Sequence, residues 1–196
     1  MFLIGVFFLF FSNIEAQNSI SISFRDGSSI NGYGRIKTND RILIRRSKNA
    51  DKEIYDYKTV RRLRVNYGDT TKDYEYKVLK DGRGPGSVKL LHIIQEGNVD
   101  LYQVQHSGMI YPSTGFSNTG FATTTTSSTT YYMSESESDL VVNLRIGNTY
   151  SRRFRKIAKE YFGDCEELLK KIKLKHFERY DVESVVKYYN EFCDKQ

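Results

Sequence analysis

The chain has 196 residues, 30 Lys and Arg against 24 Asp and Glu, a formal charge of +6, and 39% apolar residues. That length suits one domain of ordinary size with room for an appendage. Charges of both signs are dense throughout, the usual composition of a solvated folded surface, and beyond the N-terminus no long apolar run offers a membrane span.

Phe2 to Phe11 is apolar at every position, with Gly5 the only small break, and polar Ser12 and Asn13 and then Ala16 follow. This is the anatomy of a signal peptide, residues 1–16, with cleavage expected after Ala16. The run is too short for a helix crossing a hydrocarbon core, which takes about 20 residues. A buried N-terminal strand is the alternative reading, since the amino-terminal region lacks Lys and Arg and Ile14 occupies a position usually held by a small residue. Cleavage would remove Glu15 and no base, and no cysteine near the cut offers a lipid attachment point. The mature chain is expected to be secreted or periplasmic, in the cell envelope, with no transmembrane segment.

From Ile20 to about His106 apolar and polar residues alternate with period two, the pattern of half-buried antiparallel strands. Strands are expected at Ile20–Phe24, Ser29–Lys37, Ile42–Arg46, Glu53–Tyr57, Val60–Val65, Tyr74–Leu79, Val88–Gln95 and Val99–Gln105. Asp26-Gly27, Asn39-Asp40, Asp81-Gly82 and Gly97-Asn98 are the turns, because these residues tolerate the positive φ of tight hairpins. Residues 107–130 change to Ser, Thr, Gly and Asn, with Thr123 to Thr130 all hydroxylated. Such a composition buries no core and predicts an exposed excursion. Tyr131–Ser134 and Leu140–Arg145 should resume the sheet, with Ser134 to Asp139 as their turn. Short, regularly spaced strands favour a small barrel or a strongly curved meander, since closure removes exposed edges.

Past Ser151 the period becomes helical. Phe154, Ile157, Ala158, Tyr161 and Phe162 fall on one stripe, and Arg152, Arg153, Arg155, Lys156 and Lys159 cover the rest. Gly163 ends this helix; Asp164 is expected to cap a second, with stripe Cys165, Leu168, Leu169 and Ile172. Asp181 should cap a third, with Val182, Val185, Val186, Tyr189 and Cys193. Cys165 opens the second helix and Cys193 closes the third. If residues 176–180 turn the chain back, these ends meet and a structural disulfide can form in an oxidising compartment. Two buried thiols, or a redox or metal role, are the competing readings.

The common chemistries leave no trace. His92, His106 and His176 have no metal or nucleophile spacing. Gly82-Arg83-Gly84-Pro85-Gly86 lacks the Gly-Lys-Ser/Thr ending of a phosphate loop and reads as a long hairpin turn. No nucleophile-elbow or zinc-protease motif occurs, the carboxylates are too numerous to single out a catalytic pair, and no cofactor is expected. Basic clusters stand at Arg45-Arg46, Arg61-Arg62-Arg64, Arg152 to Lys156 and Lys170 to Lys175, with Tyr55, Tyr57, Tyr67, Tyr74 and Tyr76 near the second. Basic residues among aromatics can bind single-stranded nucleic acid, but they equally describe solvated strand faces. Solvated faces are the favoured reading, an anionic surface polymer or membrane surface comes next, and no specific nucleic acid is expected.

The tail Asp164-Cys165-Glu166-Glu167-Leu168, then Ile172, then Val185 to Cys193, preceded by Arg152 to Ile157, resembles the C-terminus of uncharacterised small secreted proteins of Bacteroidota-type bacteria. The resemblance covers about the last fifty residues, with the β region alike only in style. It implies export and the cysteine pair, and it carries no activity and no catalytic residues.

The expectation is therefore an α+β protein. It comprises an antiparallel β domain over about 18–146, interrupted by the 107–130 loop, and a helical tail over about 149–196 tied by Cys165 and Cys193. The favoured function is a non-catalytic secreted or envelope module for binding or structure, partnered by an envelope protein or an anionic surface polymer. A hydrolase of extracellular polymers and a subunit of an envelope complex are the alternatives; one deep polar pocket with convergent titratable groups would favour the hydrolase.

Overall fold

A computed structural model describes residues 18–47, 49–80, 86–110 and 124–193. The expected signal peptide, the Asp81-Gly82 turn and most of the glycine-rich stretch therefore lie outside the described residues. Ten strands follow one another: β1 (Asn18–Phe24), β2 (Ser29–Ile36), β3 (Ile42–Arg45), β4 (Glu53–Tyr55), β5 (Val60–Asn66), β6 (Thr71–Leu79), β7 (Ser87–Gln95), β8 (Val99–Ile110), β9 (Thr124–Glu135) and β10 (Leu140–Arg145). Helices α1 (Arg152–Tyr161), α2 (Glu166–Lys173) and α3 (Val182–Tyr188) close the chain, and α3 runs on into a π-helical turn, Tyr189–Cys193. The fold is α+β.

All ten strands join one sheet, in the order β10-β9-β8-β7-β6-β5-β1-β2-β3-β4, which closes on itself through an added β10–β6 pairing. Two features depart from a simple meander. β5 returns to lie beside β1 rather than β4. β6 also divides one of its edges: Thr71–Glu75 pair with β5, while Val78 and Leu79 pair in parallel with Leu140 and Val141 of β10. Its other edge is covered by β7 from Tyr74 to Leu79. The second half of β6 thus completes a five-stranded ring with β7 to β10. The first half belongs to a curved sheet formed with β5, β1, β2, β3 and β4.

Each part has its own core. In the curved sheet Ile20, Ile22, Ile42, Ile44, Val60, Leu63, Val65, Tyr76 and Leu90 are buried together. At Gly34 a Cβ would run into the Leu43 carbonyl and the Ile20 Cδ1, so glycine lets β2 and β3 approach at this bend. Inside the ring Leu79, Leu91, Tyr102, Tyr132 and Val141 meet. The opposite face of β8 to β10 supplies Val99, Leu101, Met133 and Leu144 to a third core with Phe154, Phe162, Leu168, Val182, Val185 and Val186 of the helical tail. Cross-strand partners Leu101↔Met133 and Tyr102↔Tyr132 show the period-two logic, one pair facing the helices and the next facing the ring.

The expected strands are present, most of them within a residue or two, and two of the expected turns have positive φ, 87° at Gly27 and 58° at Asp40, whereas Gly97-Asn98 turns without it. The 107–130 excursion is corrected. Residues 107–110 and 124–130 continue β8 and β9 in unbroken register, out to Ile110↔Thr124; residues 111–123 lie outside the described residues. The hydroxyl run forms strand because Thr is β-branched and a hairpin arm needs no apolar face where it leaves the core. β6 also begins three residues early, at polar Thr71-Lys72-Asp73.

The helical tail packs on the sheet. Asn190 acts as a side-chain extension of the ladder: its Oδ1 accepts from Val99 N–H at 3.1 Å and its Nδ2 donates to the Val99 carbonyl at 2.8 Å. Gln95 donates to the Glu183 carbonyl, and the Tyr131 hydroxyl to the Glu183 carboxylate. Ser151 and Asp181 cap α1 and α3 by accepting from Phe154 and Ser184 N–H. Asp164 does not cap α2, whose N-cap is Cys165; its carboxylate instead accepts from the Tyr189 hydroxyl. Cys165 and Cys193 form a disulfide with a Cα–Cα distance of 5.6 Å across a separation of 28 residues.

Closing a loop of that length stabilises by about 3–4 kcal/mol in the chain-entropy model. Cys165→Ser with Cys193→Ser should lower the unfolding free energy by about that amount in denaturant melts. Adding reductant to the wild type should reproduce the loss and leave the double variant unchanged.

Candidate functional site

The ring interior is apolar at its centre and polar at one end. On β6, Glu75 and Lys77 share a face with Leu79. On β8, Asp100 shares one with Tyr102, and on β9 Ser134 shares one with Tyr132, so the pleat that buries the apolar residues carries these polar groups inward as well. Lys77, Asp100 and Ser134 are 5%, 8% and 0% exposed. The turns β7–β8 and β9–β10 fold over this end.

Buried charge must be paired, and here it is. The Lys77 ammonium donates to the Ser138 carbonyl at 2.9 Å, lies 3.1 Å from Glu75 Oε2, and sits over the Tyr102 ring at 5.2 Å. The Tyr102 hydroxyl donates to Asp100 Oδ2 at 3.1 Å and lies 3.4 Å from Glu75 Oε2. Asp100 Oδ1 accepts from Gly97 N–H at 3.0 Å. Ser134 Oγ lies beside Tyr102 but makes no well-formed hydrogen bond. Burial raises the Asp100 carboxyl, and the Gly97 amide, Tyr102 and Lys77 oppose that rise. Burial likewise drives the Tyr102 phenol well up, reinforced by the two carboxylates.

Above this cluster opens a cleft of about 470 Å³. Its lining includes the bases Arg25, Arg61 and Arg62 and the acids Glu96, Glu137 and Asp139. Arg62 holds Glu96 through two hydrogen bonds of 2.8 and 2.9 Å and reaches Asp73 at 3.4 Å; Asp73 is gripped bidentately by Arg64 at 2.8 and 2.9 Å. The Arg64 hydrogen bonds hold the Asp73 carboxyl below its ordinary value. A concave polar mouth on a closed sheet is a common setting for a ligand site.

The structure redistributes the residues that stand out in the sequence. Of the Arg61-Arg62-Arg64 cluster, two members are tied into ion pairs. Tyr76 lies in the core of the curved sheet with its hydroxyl donating to the Asp40 carbonyl, and Tyr74 packs on His92, so these tyrosines form no open stacking platform. His92 bonds Gln103 through Nδ1 at 2.9 Å and its imidazole is held below its ordinary value by burial, while His106 and His176 are exposed elsewhere. Among the described residues no three His, Cys, Asp or Glu side chains gather closely enough to hold a metal ion. Glu75, Lys77 and Asp100 escape sequence reasoning, because alternation with Tyr74, Tyr76 and Val78 reads Glu75 and Lys77 as solvent-facing. The one local signal is Leu79, an apolar residue on the same face as those two charges.

No protein-family model matches this sequence, and no curated protein or solved structure is significantly similar to it.

The two perturbed carboxylates should titrate with opposite effects on stability. Asp100 has a raised pKa when folded, so the folded state binds the proton first and the wild type should gain stability over Asp100→Asn as pH falls through that raised value towards 3.8. Asp73 has a lowered pKa, so its contribution is present above 3.8 and disappears as pH falls below it; Asp73→Asn should be less stable than wild type at neutral pH, the deficit vanishing in acid. Chemical denaturation of the three proteins across this range reads both signs.

Proposed function

We propose that this is an exported, non-catalytic binding module whose contact surface is the polar mouth of the five-stranded ring. Export is supported by the apolar Phe2–Phe11 run with polar Ser12 and Asn13 and then Ala16 after it, and by the tail's resemblance to small secreted proteins. The disulfide, a bond that persists in oxidising compartments, points the same way. Among the described residues no helix is long and apolar enough to cross a membrane.

The observation that carries the binding reading is the division of labour in the cleft. Its charged floor groups, Glu75, Lys77 and Asp100, are engaged with one another, with Tyr102 and with the turns, and its rim groups are exposed, Arg61 supplied by β5 and Glu137 and Asp139 by the β9–β10 turn. Loops on a rigid scaffold are where recognition residues usually sit. Both charge signs on the rim suit a polar partner rich in hydrogen-bonding groups, an envelope protein or an anionic surface polymer with hydroxyls.

A hydrolase of extracellular polymers is the second reading, and one observation favours it: Glu75 and Asp100 converge on a single hydroxyl, with Asp100 pushed up by burial, as in a general acid. Against it, the Asp100 oxygens are already engaged, and Lys77 is pinned by Glu75 and Ser138.

The test is a pulldown from native envelope with residues 17–196, beside the variant Arg61→Ala/Asp139→Ala and a chromogenic glycan and peptide substrate panel. The expected result is one bound glycan or protein, retained about tenfold less well by the variant, and no turnover. Retention indifferent to the rim would displace the site, and turnover abolished by Asp100→Asn would establish the hydrolase.

A further inference from the structure

Two basic clusters that lie apart in the sequence become the two walls of one groove. On α1, Arg152, Arg155, Lys156 and Lys159 recur at three- and four-residue spacing and so share a face, which borders the buried stripe Phe154, Ile157 and Ala158 along its Ala158 edge. Lys170 and Lys173 of α2 stand across from them. Between the helices runs a groove of about 680 Å³ with Ala158, Leu169 and Ile172 on its floor and no acidic residue in its lining. All six cations are exposed, and none forms an ion pair among the described residues. Elsewhere three arginines are held by carboxylates, Arg46 by Glu53, Arg62 by Glu96 and Arg64 by Asp73.

We infer that this groove is a docking site for an acidic amphipathic helix of a partner protein, separate from the ring mouth. Three properties select that occupant. Six unneutralised cations require a ligand of negative charge. The α1 cations are strung over about 10 Å, from Arg152 to Lys159, so the negative charge must be distributed along a rod rather than gathered in one headgroup. The floor is apolar between two cationic rims, which calls for an apolar stripe flanked by acids, the pattern an amphipathic helix presents when it lies in a groove. Small Ala158 in the floor allows close approach.

The probe is a fluorescent peptide of about 14 residues, long enough to span the groove. It carries Leu at positions i, i+3, i+4 and i+7 and Glu on both flanks. Its control is a scrambled peptide of identical composition. Binding to the disulfide-bonded chain, residues 17–196, is read by anisotropy at low and at physiological salt. The amphipathic peptide should bind roughly tenfold more tightly than the scramble, and weaken as salt rises. Lys159→Glu/Lys170→Glu, one change on each rim, should reduce its affinity at least about tenfold, whereas Arg61→Ala/Asp139→Ala at the ring mouth should leave it unchanged. Circular dichroism and the denaturation midpoint establish that each variant is folded. Equal binding of the scramble would reduce the groove to general attraction for polyanions. Rim-dependent binding to phosphatidylglycerol vesicles with none to the peptide would make it a membrane surface, and no binding, or binding indifferent to the rim charges, would equally overturn the inference.

Discussion

β6 has three neighbours, and the rest of the molecule is arranged around that fact. A strand has two edges; β7 takes one, and β5 and β10 share the other in succession. The shared edge forces the sheet to divide near Tyr76 and Lys77. One branch curls over the Ile20, Ile42 and Leu63 core, and the other closes as a ring. At the division the face carrying Arg62, Arg64 and Glu75 passes from the outside of the curved sheet to the inside of the ring. That passage explains why a lysine is buried: Lys77 lies on a side of the strand that is wet on one half of β6 and enclosed on the other. Its ammonium holds Glu75 of its own strand and the Ser138 carbonyl of the β9–β10 turn, so the charge cluster and the ring closure support each other.

The helical tail completes a second consequence of closure. A ring only five strands thick exposes the outer faces of β8, β9 and β10, and those faces carry Val99, Leu101, Met133 and Leu144. The three helices are short, and isolated helices of this length are marginal in water, so they depend on this apolar platform as much as it depends on them. Asn190 pinned to Val99, and Cys193 pinned to Cys165, hold the last turn in place. Between α1 and α2 the tail is left with six exposed cations that form no ion pair among the described residues, although Lys171 on α2 meets Glu167. The molecule thus offers two chemically different surfaces, a mixed-charge mouth on the ring and a cationic groove on the tail.

Local features of the fold were legible in the sequence, and its long-range ones were not. Ile20-Ser21-Ile22-Ser23-Phe24 can be little but a half-buried strand, and Asp26-Gly27 little but a turn. The stripes of α1 and α3 likewise announce themselves. Thr124 to Thr130 misleads because low hydrophobicity is read as loop, although β-branching suits the chain to a hairpin arm that leaves the core. Asp164 misleads because a carboxylate before a helical stripe resembles a cap, whereas the hydroxyl of Tyr189, distant in sequence, claims it. Ring closure joins Val78 to Leu140 and has no local pattern at all. The candidate site is hidden for the same reason: Glu75, Lys77 and Asp100 look like ordinary surface charges until closure turns them inward. The basic groove is intermediate, since both of its clusters are visible as runs but their confrontation needs the helix packing.

Ring closure is therefore the claim on which the account stands, and two amides report it directly. Val78 N–H donates to the Asp139 carbonyl at 2.8 Å and Lys80 N–H to the Val141 carbonyl at 3.3 Å. Native-state hydrogen exchange of these amides, followed by NMR, is the most direct measurement. Protection of Val78 approaching that of core amides in β8, with Lys80 slower than exposed turn amides, is the result the closed ring predicts. Exchange of both at the rate of an unstructured chain would mean that β10 does not pair with β6, that Lys77 and Asp100 face water, and that the polar mouth does not exist.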